Sequence, residues 1–455
     1  MMNTQLKEIL NFFKGKSRGA RAKRQALYSL GIKGISLLIG LLYVPLLLNY
    51  LTQEKYGIWL TLTSILGWFS FLDLGMGNGL RNKLTIALAN NDFGLGKKLI
   101  STTYGFLICI FSIVLVVFHI SNFFLNWNSI LNTNTIDDKE LYVLTSIVFT
   151  FFILRFIVQI ISVIYTADQN PSVSGMIATA GNLISFLLVL ILTRLTLNGD
   201  LILLGTIISA VPVILFVVVS IYAFNSKYKE LKPSIKEVDF KISKSVLNLG
   251  VKFFFMQFAF IIVFTTSNFF ISQFYGPGEV AVYIIAYKYF EIPAMIFSIL
   301  MSPVWSAVTD AYAKSDYAWL KKTLKYANML SVLFAAGVIV MIFLSNWVFK
   351  IWVGEKISIP FTLSLALGVY FIVDLFVTPY SYFINGMGKL RIAVSFTFLQ
   401  ILIYFILIFA FRNIFENSIG IVLAILGALI SIGLVLVFQT YKLLNNKAEG
   451  IWNEE

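Results

Sequence analysis

The stretch ALYSLGIKGISLLIGLLYVPLLLNY, residues 26–50, decides the fold. It carries one charge, Lys33, in an otherwise apolar or small-polar run. A helix needs about 20 mostly apolar residues to cross the hydrocarbon core of a bilayer, so this run can span it. It is too long for a signal peptide, follows a basic tail and lacks a small-residue cleavage pattern. Eleven comparable runs follow: 58–76, 99–121, 140–163, 173–195, 201–224, 247–271, 281–307, 323–348, 360–384, 392–411 and 418–440. Composition supports the count. The 455 residues are 58% hydrophobic and only 13% charged, whereas a soluble chain carries about a quarter charged residues. Soluble enzymes, nucleic-acid binders and disulfide scaffolds are excluded. An outer-membrane barrel would alternate apolar and polar positions; this chain has 43 Phe and long unbroken apolar runs. The expected fold is an all-α polytopic membrane protein with about twelve transmembrane helices.

Loop charges set the expected orientation. With the N-terminus in the cytoplasm, 25 Lys and Arg fall on the cytoplasmic side and 6 outside. Short cytoplasmic loops are enriched in these residues, and one missed span would invert every later loop. Both termini are therefore expected in the cytoplasm. The net charge of +13 reads as orientation charge rather than a nucleic-acid surface.

The halves of the chain resemble each other. SLGIKG at 29–34 matches NLGVKF at 248–253 with an offset of 219, which also carries Tyr56-Gly57 onto Tyr275-Gly276. ALANNDFGLGKK at 87–98 matches AYAKSDYAWLKK at 311–322 with an offset of 224. Six spans separate the copies, so both halves share one orientation. Parallel repeats of this kind enclose a central site and rock around it. The expected organisation is a basic tail at 1–25, six-helix bundles at 26–224 and 247–440 around a central cavity, and a C-terminal tail at 441–455. A connector at 225–246 joins the bundles and is read as solvated and lipid-facing.

Ionisable residues inside spans cost several kcal/mol unless they meet water or a partner, and so mark function. Lys33 and Lys252 are repeat equivalents near the cytoplasmic ends of their spans, where lysines can also snorkel. Arg155, in FFILRFIVQ, lies far from either interface, and Gln159 one turn on extends a polar stripe. Its repeat counterpart is Asp374, in YFIVDLF, which the repeat would place opposite it for pairing. Lys288 and Glu291, three apart on one helix, share a face and are positioned to neutralise each other. Asp73 ends the second span in FLDLGMGNGLRNK. The basic set, Lys33, Arg155, Lys252 and Lys288, suits an anionic substrate; Asp73, Glu291 and Asp374 suit ion coupling or gating. The single Cys109 and single His119 leave no disulfide, no metal cluster and no catalytic histidine machinery. No cofactor is expected.

LTQEKYGIWLTLTSILGWFSFLDLGMGNGLRNKLTIALANNDFGLGKKLIST, residues 51–102, resembles the early region of Wzx-type polysaccharide flippases, within the superfamily that also holds multidrug extruders. Y-G-x-W at 56–59 followed by F-L-D-L-G-M-G-N-G at 71–79 is the most specific part. The resemblance implies a non-enzymatic inner-membrane exporter of undecaprenyl-pyrophosphate-linked oligosaccharide, working by alternating access and coupled to H+ or Na+. It implies a basic cavity that Lys33, Arg155 and Lys252 would line, and polysaccharide polymerase machinery as a partner. A cation-coupled multidrug extruder is the alternative; a polymerase or ligase would need a larger outward loop than 122–139. Major-facilitator carriers carry a D-R-x-G-R-R type run after the second span, and residues 76–98 do not.

Overall fold

The computed structural model describes residues 18–69, 76–168, 170–196, 199–239, 263 and 266–453. Among them there are helices, turns and no strand. The first half contributes α1 (Arg18–Tyr50), α2 (Gln53–Trp68), α3 (Met76–Ala89), α4 (Phe93–Asn122), α5 (Trp127–Leu131), α6 (Asp138–Val158), α7 (Ile160–Ala167), α8 (Pro171–Leu195) and α9 (Leu201–Asn225). Residues 266–275 are also helical. The second half continues with α10 (Pro277–Ala313), α11 (Tyr317–Trp352), α12 (Phe361–Met387), α13 (Arg391–Phe411) and α14 (Ile419–Leu444). Ten stretches among the described residues are long and apolar enough to span a membrane. They match ten of the twelve expected runs. The expected spans 58–76 and 247–271 lie partly outside the described residues.

Most helices run past the apolar windows because polar interfacial residues continue the backbone hydrogen bonding. α3, which carries Arg81 and Lys83, is a helix where hydropathy alone indicated a loop. The fourth span is interrupted at Gln159, between α6 and α7. Pro45, Pro212 and Pro379 sit inside α1, α9 and α12, as membrane helices tolerate.

The two repeat copies form the same turn. After α3, Asn91 takes a left-handed backbone (φ 55°), and Asp92 caps α4 by accepting from the Leu95 N–H at 2.9 Å. After α10, Ser315 is left-handed (φ 57°), and Asp316 caps α11 by accepting from the Trp319 N–H at 3.0 Å. In both, the capping Asp donates its own N–H to an alanine carbonyl five residues back, at 2.9 Å. A side-chain oxygen at this position satisfies an orphan N–H of the helix start.

The described residues fall into two compact units, one within Met1–Leu51, Phe69–Asn128 and Asn134–Phe254, the other within Thr52–Trp68, Ser129–Thr133 and Phe255–Glu455. This differs from a division in chain order, because α2 and residues 129–133 group with the second unit. The reason is local packing. Gly57 on α2 brings two backbones together, so that a Cβ there would lie 1.6 Å from the Pro277 carbonyl oxygen. Gln53 Nε2 donates to the Gly278 carbonyl at 3.1 Å, Asn268 Nδ2 to Ser64 Oγ at 2.7 Å, and Ser272 Oγ to the Leu131 carbonyl at 2.8 Å. In the first unit Phe118 stacks on Phe149 at 3.6 Å, and His119 bonds Thr150 Oγ1 at 3.0 Å near the end of α4.

The connector is more ordered than a solvated linker. In its described part, Leu231 is buried, the Ser234 N–H donates to Ser101 Oγ and the Asp239 N–H to Thr102 Oγ1, both at 3.0 Å on α4. Tyr228 and Lys227 anchor its start on Asp168. Apolar Leu231 and Val238 explain why it lies down on the unit.

Candidate functional site

In the first unit, α6 places Arg155 in its last turn, immediately before the interruption at Gln159. The Gln159 N–H continues the helical ladder onto the Arg155 carbonyl at 2.9 Å, and the tightening follows it, where the Ser162 N–H donates to the Gln159 carbonyl at 2.9 Å. The Arg155 side chain is half-buried and makes no ion pair or hydrogen bond with any described residue. Its guanidinium thus retains five donors in a fork that matches phosphate or carboxylate oxygens. Lys33, on α1, is exposed and likewise makes no ion pair among the described residues. Lys252 and Asp73 lie outside the described residues.

In the second unit, α10 and α12 bring together a group that the hydropathy reading only partly found. Tyr283, Tyr287 and Glu291 recur every fourth residue of α10 and form one stripe; Tyr370 and Asp374 do the same on α12. The Tyr283 and Tyr287 ring centroids are 5.8 Å apart, and those of Tyr287 and Tyr370 are 6.5 Å apart. The Asp374 carboxyl is within electrostatic reach of both the Tyr287 and Tyr370 hydroxyls, and Glu291 of Tyr283 and Tyr287. Tyr283 and Tyr370 are buried, Asp374 and Lys288 half-buried, and Glu291 exposed. Phenol and carboxyl oxygens in a low-dielectric setting can hold a proton or a hard cation. The signal lies in the sequence as Y-x-x-x-Y-x-x-x-E and Y-x-x-x-D, but tyrosine counts as apolar in a hydropathy profile, so it does not stand out within a span.

The expected neutralisation of Lys288 by Glu291 takes a weaker form. They influence each other electrostatically but form no ion pair among the described bridges. Three residues of separation put them on one face, with Lys288 half-buried and Glu291 exposed.

A multi-pass helical scaffold with ionisable groups held inside its spans is an architecture that membrane transporters use. Solved structures agree on the fold. An inward-facing multidrug resistance MATE family transporter of the MOP superfamily superposes with a TM-score of 0.75, at 13% identity, covering 93% of this chain and 100% of that one. An outward-facing one gives 0.64 at 13% identity, covering 96% and 98%. The chain belongs to the Polysaccharide biosynthesis protein family, which it matches over residues 22–308. Sequence relatives include a "Putative O-antigen export protein" of Yersinia pseudotuberculosis, 23% identical over 79% of this chain and 82% of the relative. A "Putative O-antigen transporter" of Salmonella typhimurium is 23% identical over 89% and 92%.

Proposed function

We propose that this protein is a flippase that carries a lipid-linked oligosaccharide across the bacterial inner membrane, from the cytoplasmic to the periplasmic leaflet. The observation that carries the reading is the family match together with O-antigen export relatives aligned over most of the chain. The substrate is read as an undecaprenyl-pyrophosphate-linked glycan, and Arg155 as the residue that grips its pyrophosphate through paired N–H···O bonds. Lys33, Lys252 and Lys288 supply further positive potential. Asp374, with the tyrosines of α10 and α12, is the place for a coupling proton or sodium ion, with Glu291 and Asp73 as gating groups. Transport follows alternating access, with both termini in the cytoplasm and a polysaccharide polymerase downstream. The chain acts as a carrier, not an enzyme.

A multidrug extruder is the second reading, favoured by the names of the structural neighbours; at 13% identity these speak for fold alone. Deleting the gene separates the two. The flippase reading expects loss of a surface polysaccharide and build-up of lipid-linked oligosaccharide in the cytoplasmic leaflet. An unchanged glycan profile with new sensitivity to cationic dyes would establish the extruder instead.

A further inference from the structure

The repeat gives each unit an equivalent pair of helices, α4 with α9 and α11 with α14, and the two units treat that pair differently. In the first unit the connector covers it. A Cβ at Gly96 would come within 2.8 Å of Leu231 and one at Gly105 within 3.2 Å of Val238, while Ser101 and Thr102 accept the backbone N–H groups of Ser234 and Asp239. Adding the offset of 224 turns these four α4 positions into Leu320, Lys325, Tyr326 and Met329 on α11. Both glycines and both small hydroxyls are gone, so a backbone cannot lie there as it does on α4. Of the described C-terminal residues, Ala448 packs against the buried cluster that includes Leu320 and Leu444, and Trp452 packs on Phe438 at 5.2 Å, with Lys442 against both rings.

What remains in the second unit is a groove of about 750 Å³ between α11, α12 and α14. Its chemistry changes along its length. Lys321 and Lys325, one turn apart and exposed, line one end and have no ion pair among the described residues. Met329 and Val332, 59% and 57% exposed, continue down α11 toward Phe376 on α12. Asn328 Nδ2 donates to the Tyr380 hydroxyl at 3.0 Å and ties α11 to α12 along the groove. From Lys321 to Val332 the helix rises about 16 Å, from the loop end into the apolar part of the span. A polypeptide segment at that depth would need partners for its backbone groups, and Met329, Val332 and Phe376 offer none. An acyl chain needs none, and the two ammonium groups complement a phosphate.

We infer that this groove binds an anionic phospholipid of the surrounding leaflet, its phosphate between Lys321 and Lys325 and one acyl chain along Met329, Val332 and Phe376. Placing it in the cytoplasmic leaflet rests on the proposed orientation; the site itself does not depend on the flippase reading. The test is native mass spectrometry of the delipidated full-length protein, titrated with phosphatidylglycerol. Wild type should retain it at least tenfold better than the K321Q/K325Q variant and better than phosphatidylethanolamine. Val332→Trp, which fills the groove, should lose it similarly. K97Q/K98Q, at the repeat equivalents of Lys321 and Lys322 on α4, should bind as wild type does. Equal retention by K321Q/K325Q, or equal retention of phosphatidylethanolamine, would overturn the site. Competition by equimolar inorganic phosphate would make it an anion site, and displacement by equimolar polyprenyl phosphate a substrate site; either overturns the phospholipid assignment. The export assay reads the flippase proposal separately: wild-type protein that exports glycan but retains phosphatidylglycerol no better than K321Q/K325Q does overturns the groove alone.

Discussion

Arg155 combines two properties that seldom occur together: a position deep in a span, and a guanidinium with no ion-pair partner among the described residues. A cation so placed is expensive, and its retention is accounted for when a substrate anion supplies the missing charge. Arg155→Ala should therefore abolish glycan export while the protein still accumulates in the membrane, read by surface-polysaccharide staining beside an immunoblot. Arg155→Lys should recover only part of the activity, because a lysine keeps the charge but cannot make two parallel bonds to one phosphate. Full export by Arg155→Ala at normal expression would remove it from the site.

At the scale of elements, α2 depends on one glycine. The backbones of α2 and α10 approach at Gly57, where any Cβ meets a carbonyl rather than a flexible side chain. Small residues serve this role between membrane helices, where close backbone contact does the work that hydrophobic burial does in water. Gly57→Ala should lower the thermal midpoint of the detergent-purified protein clearly. Gly40→Ala on α1, where nothing lies within 4 Å of the added methyl, should leave it unchanged or raise it slightly, since Ala favours helix by about 1 kcal/mol over Gly. Equal effects at both sites would show that the α2–α10 contact is unimportant. The single tightened turn at Gln159, one turn after Arg155, is the other element-scale feature, and the helix continues through it to Ala167.

At the scale of the whole molecule, orientation is the claim most open to direct test. Cys109 is the chain's single cysteine and is exposed, so labelling begins from a Cys109→Ser background. Cysteines introduced at Thr85, Ile235 and Asp316 should react from the cytoplasm, and those at Ile130 and the exposed Glu355 from outside. Labelling of position 235 from the periplasm would overturn the span count and the parallel repeat with it.

The amino-acid sequence alone determined the helical membrane class and ten spans close to their observed positions, and its internal repeat matched the two segments that form the turns at Asp92 and Asp316. These are local matters: a run of apolar residues, or an aspartate three residues before the N–H it caps, needs no distant partner to have its effect. It also picked out Arg155 and Asp374, because a charge within an apolar run stands out whatever surrounds it. Tertiary structure decided the rest. The facing of Tyr287 and Tyr370 depends on how α10 and α12 are rotated about their own axes, and every face of an apolar span looks alike until its neighbours are known. Whether the connector would lie on α4, and whether the matching face of α11 would stay open, turned on glycine and serine against methionine and lysine at positions that meet only across packed helices.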